Sequence, residues 1–381
     1  MSAVVLLLTA GIAIEPAIHD ALVFEKTRIG HATFEAAAAF DVDDDGDIDI
    51  VSGGYWYEGP EFKVQHKICD VQQVGDYYDD FSDYPMDVNG DGYLDIVTGG
   101  FWGLTLRWRE NPKGKPVEWR VHEVAEVGNI ERNCFYDIDG DGMVEVFPTT
   151  SPVHIFKLAR GADGKGLGRF EQFTIAQKGG GGHGIGFGDV NGDGRPDIVF
   201  SGGWFEAPEN PFAGAWDWHP EFSFGAASVP MLVFDVNEDG RNDVIVGQAH
   251  GYGFSWWEQT VSADGARGWV EHVIDADRSQ YHELQLADID NDGAPELIAG
   301  KRYRAHCGHD PGADDPLGLY YFEINRSAFV RVTLDYGPPV RASGAGIYLW
   351  VSDVDGNGWK DVVAPGKEGL YLFKNMGPPS E

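Results

Sequence analysis

Short apolar runs recur along the chain, each bounded by Asp, Asn, Gly or Pro. Examples are DIVS from Asp49, DIVTG from Asp95, DIVF from Asp197, DVIVG from Asp243 and DVVA from Asp361. They are rich in β-branched residues, too short for helices and flanked by turn formers, so they read as buried β-strands. None approaches the roughly 20 apolar residues that a membrane-spanning helix needs.

The polar segments between the runs are equally regular. The pattern D-x-[DN]-x-[DN]-G-x-x-[DE] occurs seven times, beginning at Asp41, Asp87, Asp137, Asp189, Asp235, Asp288 and Asp353, with spacings of 46, 50, 52, 46, 53 and 65 residues. Each copy follows one short strand and leads into another, as in FGDVNGDGRPDIVF from Phe187. Further strands come downstream, such as LTLRWRE and EWRVHEV in the second unit. About 50 residues of four short strands is the size of one propeller blade. A four-stranded sheet cannot bury both faces alone, so the blades must pack on one another around an axis.

The expected fold is therefore all-β: a seven-bladed β-propeller spanning residues 21–381, preceded by a leader over residues 1–20. After its motif the last unit has only DVVAPG and GLYLFKN, so it lacks an outer strand. The segment ALVFEKTRI, from Ala21 to Ile29, has no blade of its own. It is expected to supply the missing strand and clasp the ring, leaving no open edge. Met1 to Ala13, MSAVVLLLTAGIA, resembles the apolar core of a secretion signal without its basic start, which points to an extracytoplasmic protein.

Composition adds a cation to this picture. The chain has 62 Asp+Glu against 28 Lys+Arg, a formal charge of −34. So acidic a surface repels nucleic acid and anionic membranes. The three cysteines, Cys69, Cys134 and Cys307, are scattered and odd in number, so they form neither a disulfide framework nor a CxxC zinc site. The carboxylates concentrate in the repeated loops. First positions are Asp41, Asp87, Asp137, Asp189, Asp235, Asp288 and Asp353; third positions are Asp43, Asn89, Asp139, Asn191, Asn237, Asp290 and Asp355. Fifth positions are Asp45, Asp91, Asp141, Asp193, Asp239, Asp292 and Asn357; ninth positions are Asp49, Asp95, Glu145, Asp197, Asp243, Glu296 and Asp361. Position six is Gly throughout, where a loop wrapping an ion must turn through positive φ. Hard oxygen donors in a flexible loop suit Ca²⁺ better than Zn²⁺ or Mg²⁺. Seven such ions, structural in role, would bring the formal charge from −34 to −20.

These loops resemble the FG-GAP and VCBS repeats of integrin-α-like propellers, and the likeness covers nearly all of residues 21–381. FGDVNGDG at Phe187 carries the FG-GAP signature; AFDVDDDG, LADIDNDG and VSDVDGNG depart from its opening. GGYWYEGP, SGGWFEAPEN and GLYLFKN are similar to secreted bacterial VCBS-repeat proteins. A weaker likeness is to the propeller domain of the aldos-2-ulose dehydratases, carried by YHELQLADIDNDG from Tyr281. The first resemblance implies calcium loops on the lower face, joining the first two strands of each blade. The second implies a dehydratase-type elimination on sugars.

The upper face is then built from segments that enter the first strand and leave the second. They bring His183, His250, His282, Lys301, Arg302 and Tyr303 together as candidate catalytic groups. His183 and His282 each lie six residues before their loop's first Asp, so they occupy equivalent positions on blades four and six. Three imidazoles at one mouth are suited to an additional divalent metal, or one of them to a general base with Lys301 or Arg302 stabilising an oxyanion. Tyr55, Trp56, Trp102, Arg132, Trp204, Tyr252, His306 and His309 are the candidate substrate-binding groups, aromatic rings being suited to the C–H faces of sugars. Asp79, Asp80 and Asp83 fall on the same face. Two function classes stay open: a carbohydrate lyase or dehydratase working by β-elimination, and a non-catalytic propeller that binds glycan or protein as an extracellular ligand.

Overall fold

The computed structural model describes residues 22–379. The leader expected over residues 1–20, with its signal-like stretch, lies outside the described residues, as does Ala21. Seven four-stranded antiparallel sheets form a seven-bladed β-propeller, and in six of them the strand order is the chain order. Blade one comprises Ala38–Phe40, Asp49–Ser52, Tyr55–Tyr57 and Gln65–Lys67. First strands of neighbouring blades touch, which sets them around the axis. In blade seven the outer strand is Phe24–Gly30, paired antiparallel with Leu370–Asn375 so that Phe24 lies opposite Asn375. The first strand in the sequence and the last thus share one sheet.

The core lies between blades. Ile50 and Val51 are both fully buried, yet point to opposite sides of their strand. Ile50 packs with Val363, Leu370 and Leu372 of blade seven; Val51 packs with Trp56 and with Ile96 of blade two. This explains the continuous apolar runs, since a strand buried on both faces has no polar side to alternate. Each such side chain contributes about 1.5–3 kcal/mol of burial.

Each repeated loop is shaped by its own carboxylates. The first Asp accepts from the amide of position six, as Asp41 Oδ2 does from Gly46 at 3.0 Å and Asp189 Oδ2 from Gly194 at 2.8 Å. The fifth residue accepts from position seven, as in Asp193 to Arg195 at 2.9 Å. The loop glycine has φ of +97° at Gly46 and +85° at Gly240. A Cβ at either would meet nothing within 4 Å, so the requirement is the positive φ and not space. The ninth residue does something the ligand pattern alone did not reveal. In all seven blades it is buried and accepts from the amide of position two, with distances of 2.8 Å for Asp49 to Val42 and 3.1 Å for Glu145 to Ile138.

Asp80 and Asp83, expected on the upper face, are instead a structural lock. Arg109 reaches Asp80 at 2.8 Å, Asp83 at 3.1 Å and the Gly53 carbonyl at 2.8 Å, all fully buried. Asp79 pairs with Arg107 at 2.8 Å and accepts from the amides of Trp102 and Gly103. The Arg109 lock ties blade two to the turn of blade one. Arg109→Ala strands two buried carboxylates and is expected to cost about 3–5 kcal/mol of stability. Urea denaturation followed by tryptophan fluorescence measures it; a loss below about 1 kcal/mol would contradict the lock.

Candidate functional site

The residue six positions before each loop Asp begins or precedes the innermost strand, so the seven copies ring the channel. They are Glu35, Phe81, Glu131, His183, Val229, His282 and Ile347. Their backbones interlink across the ring: Val229 donates to the His282 carbonyl at 2.9 Å and Ile347 to the Glu35 carbonyl at 2.7 Å. Three members are apolar, two are acidic and two are imidazoles, so the chemistry is gathered on part of the ring.

His250, from the turn after the second strand of blade five, completes the group. Its Nε2 lies 2.6 Å from His183 Nε2, and the His183 and His282 rings are 5.0 Å apart. Glu131 Oε1 lies 3.2 Å from His282 Nε2 and 3.7 Å from His183 Nε2. One donor atom from each of the three imidazoles falls within 4.8 Å of the others. Burial and the neighbouring Arg302 hold His282 well below the usual imidazole range. Burial pushes His183 down to about 4, and it lowers His250 despite the hydrogen bond to Asp310. At neutral pH these are uncharged nitrogen donors. Burial alone would raise Glu131, but the His282 hydrogen bond and the Arg302 charge hold its carboxyl well below the carboxylate range. The group can therefore offer neutral nitrogens and one anionic oxygen to a cation. The Nδ1 atoms of His183 and His282 are buried without a hydrogen-bond partner.

Charged residues from four blades support this centre. Arg302 donates to Glu35 at 2.9 Å and to Glu131 at 3.3 Å, and Lys367 pairs with Glu35 at 2.9 Å. At the rim, His306 stacks on His250 with centroids 3.9 Å apart, and Asp310 joins them: Oδ2 lies 2.6 Å from His250 Nδ1 and Oδ1 lies 2.9 Å from His306 Nδ1. Arg304, His306 and Cys307 all adopt left-handed φ, of 50°, 47° and 56°. Such strain persists only where surroundings impose it and is concentrated at functional sites. Tyr77, Phe81, Phe101, Trp102, Glu131, Arg302 and His306 line a cavity of about 90 Å³ beside the histidines.

Of the five histidines expected on this face, four converge. His309 is exposed and only bonds the His306 carbonyl, at 2.7 Å. Arg302 belongs to the centre as a buried ion-pair partner. Lys301 does not: its Nζ bonds Ser279 at 2.8 Å and Gln280 at 2.6 Å, and it lines a separate cavity of about 380 Å³ with Tyr252, Arg278 and Asp315. Burial lowers Lys301 to about 8. Tyr252 is exposed and donates to Asp315 at 2.6 Å in that second cavity. Tyr303 enters through its carbonyl, an acceptor for Lys367 at 3.4 Å. Arg132 is buried against Glu283, the carbonyls of Val229 and Ile347, and the Tyr348 ring. Trp56 and Trp204 are buried in blade packing, stacked on His66 and His219 at 4.2 Å, and Tyr55 packs near Phe34. These are corrections: the aromatics that follow a blade's second strand turn inward to fill the gap between blades, and Arg132, at the entry to the first strand of blade three, turns inward to meet Glu283 of blade six. Trp102 alone of the three tryptophans lines the cavity. Glu35, Glu131 and Lys367 were missed, although the six-before-Asp register that identified His183 and His282 also contains Glu35 and Glu131.

The repeated loops also present converging donors: Asp41, Asp43 and Asp49; Asp137, Asp139 and Glu145; Asp288, Asp290 and Glu296. Asp43 Oδ1 and Asp288 Oδ1 are buried without a donor. In loops one and six, an all-oxygen set with unfilled acceptors fits a hard divalent cation.

The fold and loops define a seven-bladed propeller with one acidic loop per blade. The chain carries FG-GAP-like repeats, whose family model matches residues 87–147 and 235–299. Among solved structures it is similar to rhamnogalacturonan lyase YesW, at 14% identity and TM-score 0.47, over 94% of this chain and 73% of that one. It is also similar to the V. cholerae biofilm matrix protein Bap1, at 17% identity and TM-score 0.31, over 81% of this chain and 41% of that one. No curated protein matches the chain.

Trp204 and Trp102 should separate when truncated. Trp204→Ala is expected to cost about 3–5 kcal/mol of stability, the ordinary cost of emptying a core tryptophan. Trp102→Ala, half-buried at the rim, is expected to cost less than half of that. Paired urea melts check this; equal losses would mean that Trp102 is as structural as Trp204.

Proposed function

We propose that this protein is an extracytoplasmic, calcium-stabilised propeller enzyme that acts on carbohydrate by β-elimination at the channel mouth. The observation that carries it is the convergence of His183, His250, His282 and Glu131 on one point beside a cavity. In this reading they hold one transition metal ion, which would polarise a carboxylate or carbonyl oxygen of the substrate. The rim dyad supplies the base. Asp310 accepts from His306 Nδ1, which leaves Nε2 free to take a proton. Removal of the proton next to the polarised group sends its electron pair into a new C=C bond. The β C–O bond breaks, and the leaving oxygen takes a proton from water. Tyr77, Phe101 and Trp102 supply the faces on which a sugar ring stacks. Arg302 positions Glu131 through its hydrogen bond.

The second reading, a glycan- or protein-binding propeller without catalysis, is favoured by the half-exposed aromatic rim of Phe101 and Trp102. Elemental analysis after dialysis against a weak chelator separates the two. The enzyme reading expects about one transition metal per chain, lost in His183→Ala/His282→Ala. It also expects an unsaturated, ultraviolet-absorbing product from a uronate polymer or keto-sugar, reduced at least about 100-fold by His306→Ala, as for loss of a general base. No transition metal and no product across the panel would leave the binding reading.

A further inference from the structure

On the third strand of each blade, one position lies beside the ninth loop residue. The register places it one residue after Tyr57, Arg109, Phe205, Trp257 and Phe322, which pair with the residue following the ninth in blades one, two, four, five and six. There it is Glu58, Glu110, Glu206, Glu258 and Glu323. In blades three and seven the same register, through Phe156 and Phe373, gives Lys157 and Lys374. This side chain faces the loop: Asn237, the third residue of loop five, donates to Glu258 Oε1 at 3.3 Å.

The lysines sit among the loop acids. Lys157 Nζ is 2.7 Å from Asp139 Oδ2, 2.7 Å from Asp141 Oδ2 and 2.8 Å from Glu145 Oε1, so donors from positions three, five and nine already surround a cation. Lys374 Nζ is 3.4 Å from Asp355 Oδ2, the third position of loop seven. Four of the five glutamates are held in place by a histidine: His66, His122, His219 and His272 bond Glu58, Glu110, Glu206 and Glu258 at 3.0, 2.7, 2.9 and 2.8 Å. Each of those imidazoles stacks on a buried tryptophan of the same blade. Carboxylates that ligate metals are commonly held in place by a hydrogen bond from behind.

We infer that blades three and seven carry a lysine ammonium in the place where the other five blades take a divalent ion, so the chain binds five calcium ions and not seven. Replacing Glu by Lys changes the local charge by two, which removes the need for the ion and repels it. The inference rests on the calcium reading of the loops.

The test is a calcium count per chain on the intact protein, by native mass spectrometry and elemental analysis after exchange into calcium buffer and desalting. The wild type is expected to hold five, Lys157→Glu and Lys374→Glu six each, and the double variant seven. Seven in the wild type, unchanged by the substitutions, would overturn the inference while leaving the calcium reading intact. A count of zero in every form would instead remove the calcium reading beneath it. If a variant does not fold, the wild-type count alone still distinguishes five from seven and from zero.

Discussion

The ninth-position carboxylate is the interaction on which each blade depends. At the exit of the first strand the chain must reverse, and the amide of the second loop residue has no sheet partner. A buried Asp or Glu accepts it in every blade. In five blades the other oxygen accepts an amide in or just past the last few residues of the third strand, as Asp49 does from Gly59 and Asp361 from Asn375. One side chain therefore fixes the relative positions of three strands. Its cost is a desolvated charge: burial raises Asp49 and Asp95 to about 7 and Glu296 to about 8. A cation in the loop offsets that cost, which couples the fold to whatever positive charge the loop receives.

The same innermost strand serves both faces. Its lower end begins the acidic loop, and its upper end presents the channel residue six positions earlier. The lower latch therefore also locates the upper side chains, so the histidine centre is held by elements packed on both sides. The upper face has its own buried charges, and those around the channel are matched across blades. Arg302 of blade six meets Glu35 at the entry to blade one and Glu131 at the entry to blade three, while Lys367 of blade seven also meets Glu35. Removing one member leaves the others uncompensated, so these ions fix the register of the ring more than they add to its stability.

The repeat made the architecture legible. Seven copies of one loop, each between two apolar runs, specify the blade number, and a last unit short of a strand specifies where Phe24–Gly30 must go. The pairing of His183 with His282 was legible from the six-before-Asp register, and His250 from its place after the second strand of the blade between them. Arg132, Trp56 and Trp204 were misread because a residue near a turn has two options, outward to solvent or inward between blades. Only the packing around the turn decides, and in these cases a stacking partner was waiting inside. Lys301 and Arg302 are adjacent in sequence, yet alternate strand geometry sends one to the second cavity and the other to the channel.

In a chain built by repetition, the repeat itself describes stability and the departures from it describe function. Six positions before the loop, the channel position is apolar in three blades, where it needs only to fill the axis. Glu35, Glu131, His183 and His282 break that rule, and those four side chains gather the charge and the nitrogen donors of the upper face. Their burial would be destabilising without partners, and their lowered or paired states show that the surroundings were built to accept them. The same logic applies below. A Glu-to-Lys change, at a position whose glutamate a Trp-stacked histidine holds in four blades, sets blades three and seven apart from the rest. Aligning the seven units against one another therefore isolates the residues with a special task more sharply than any single motif does.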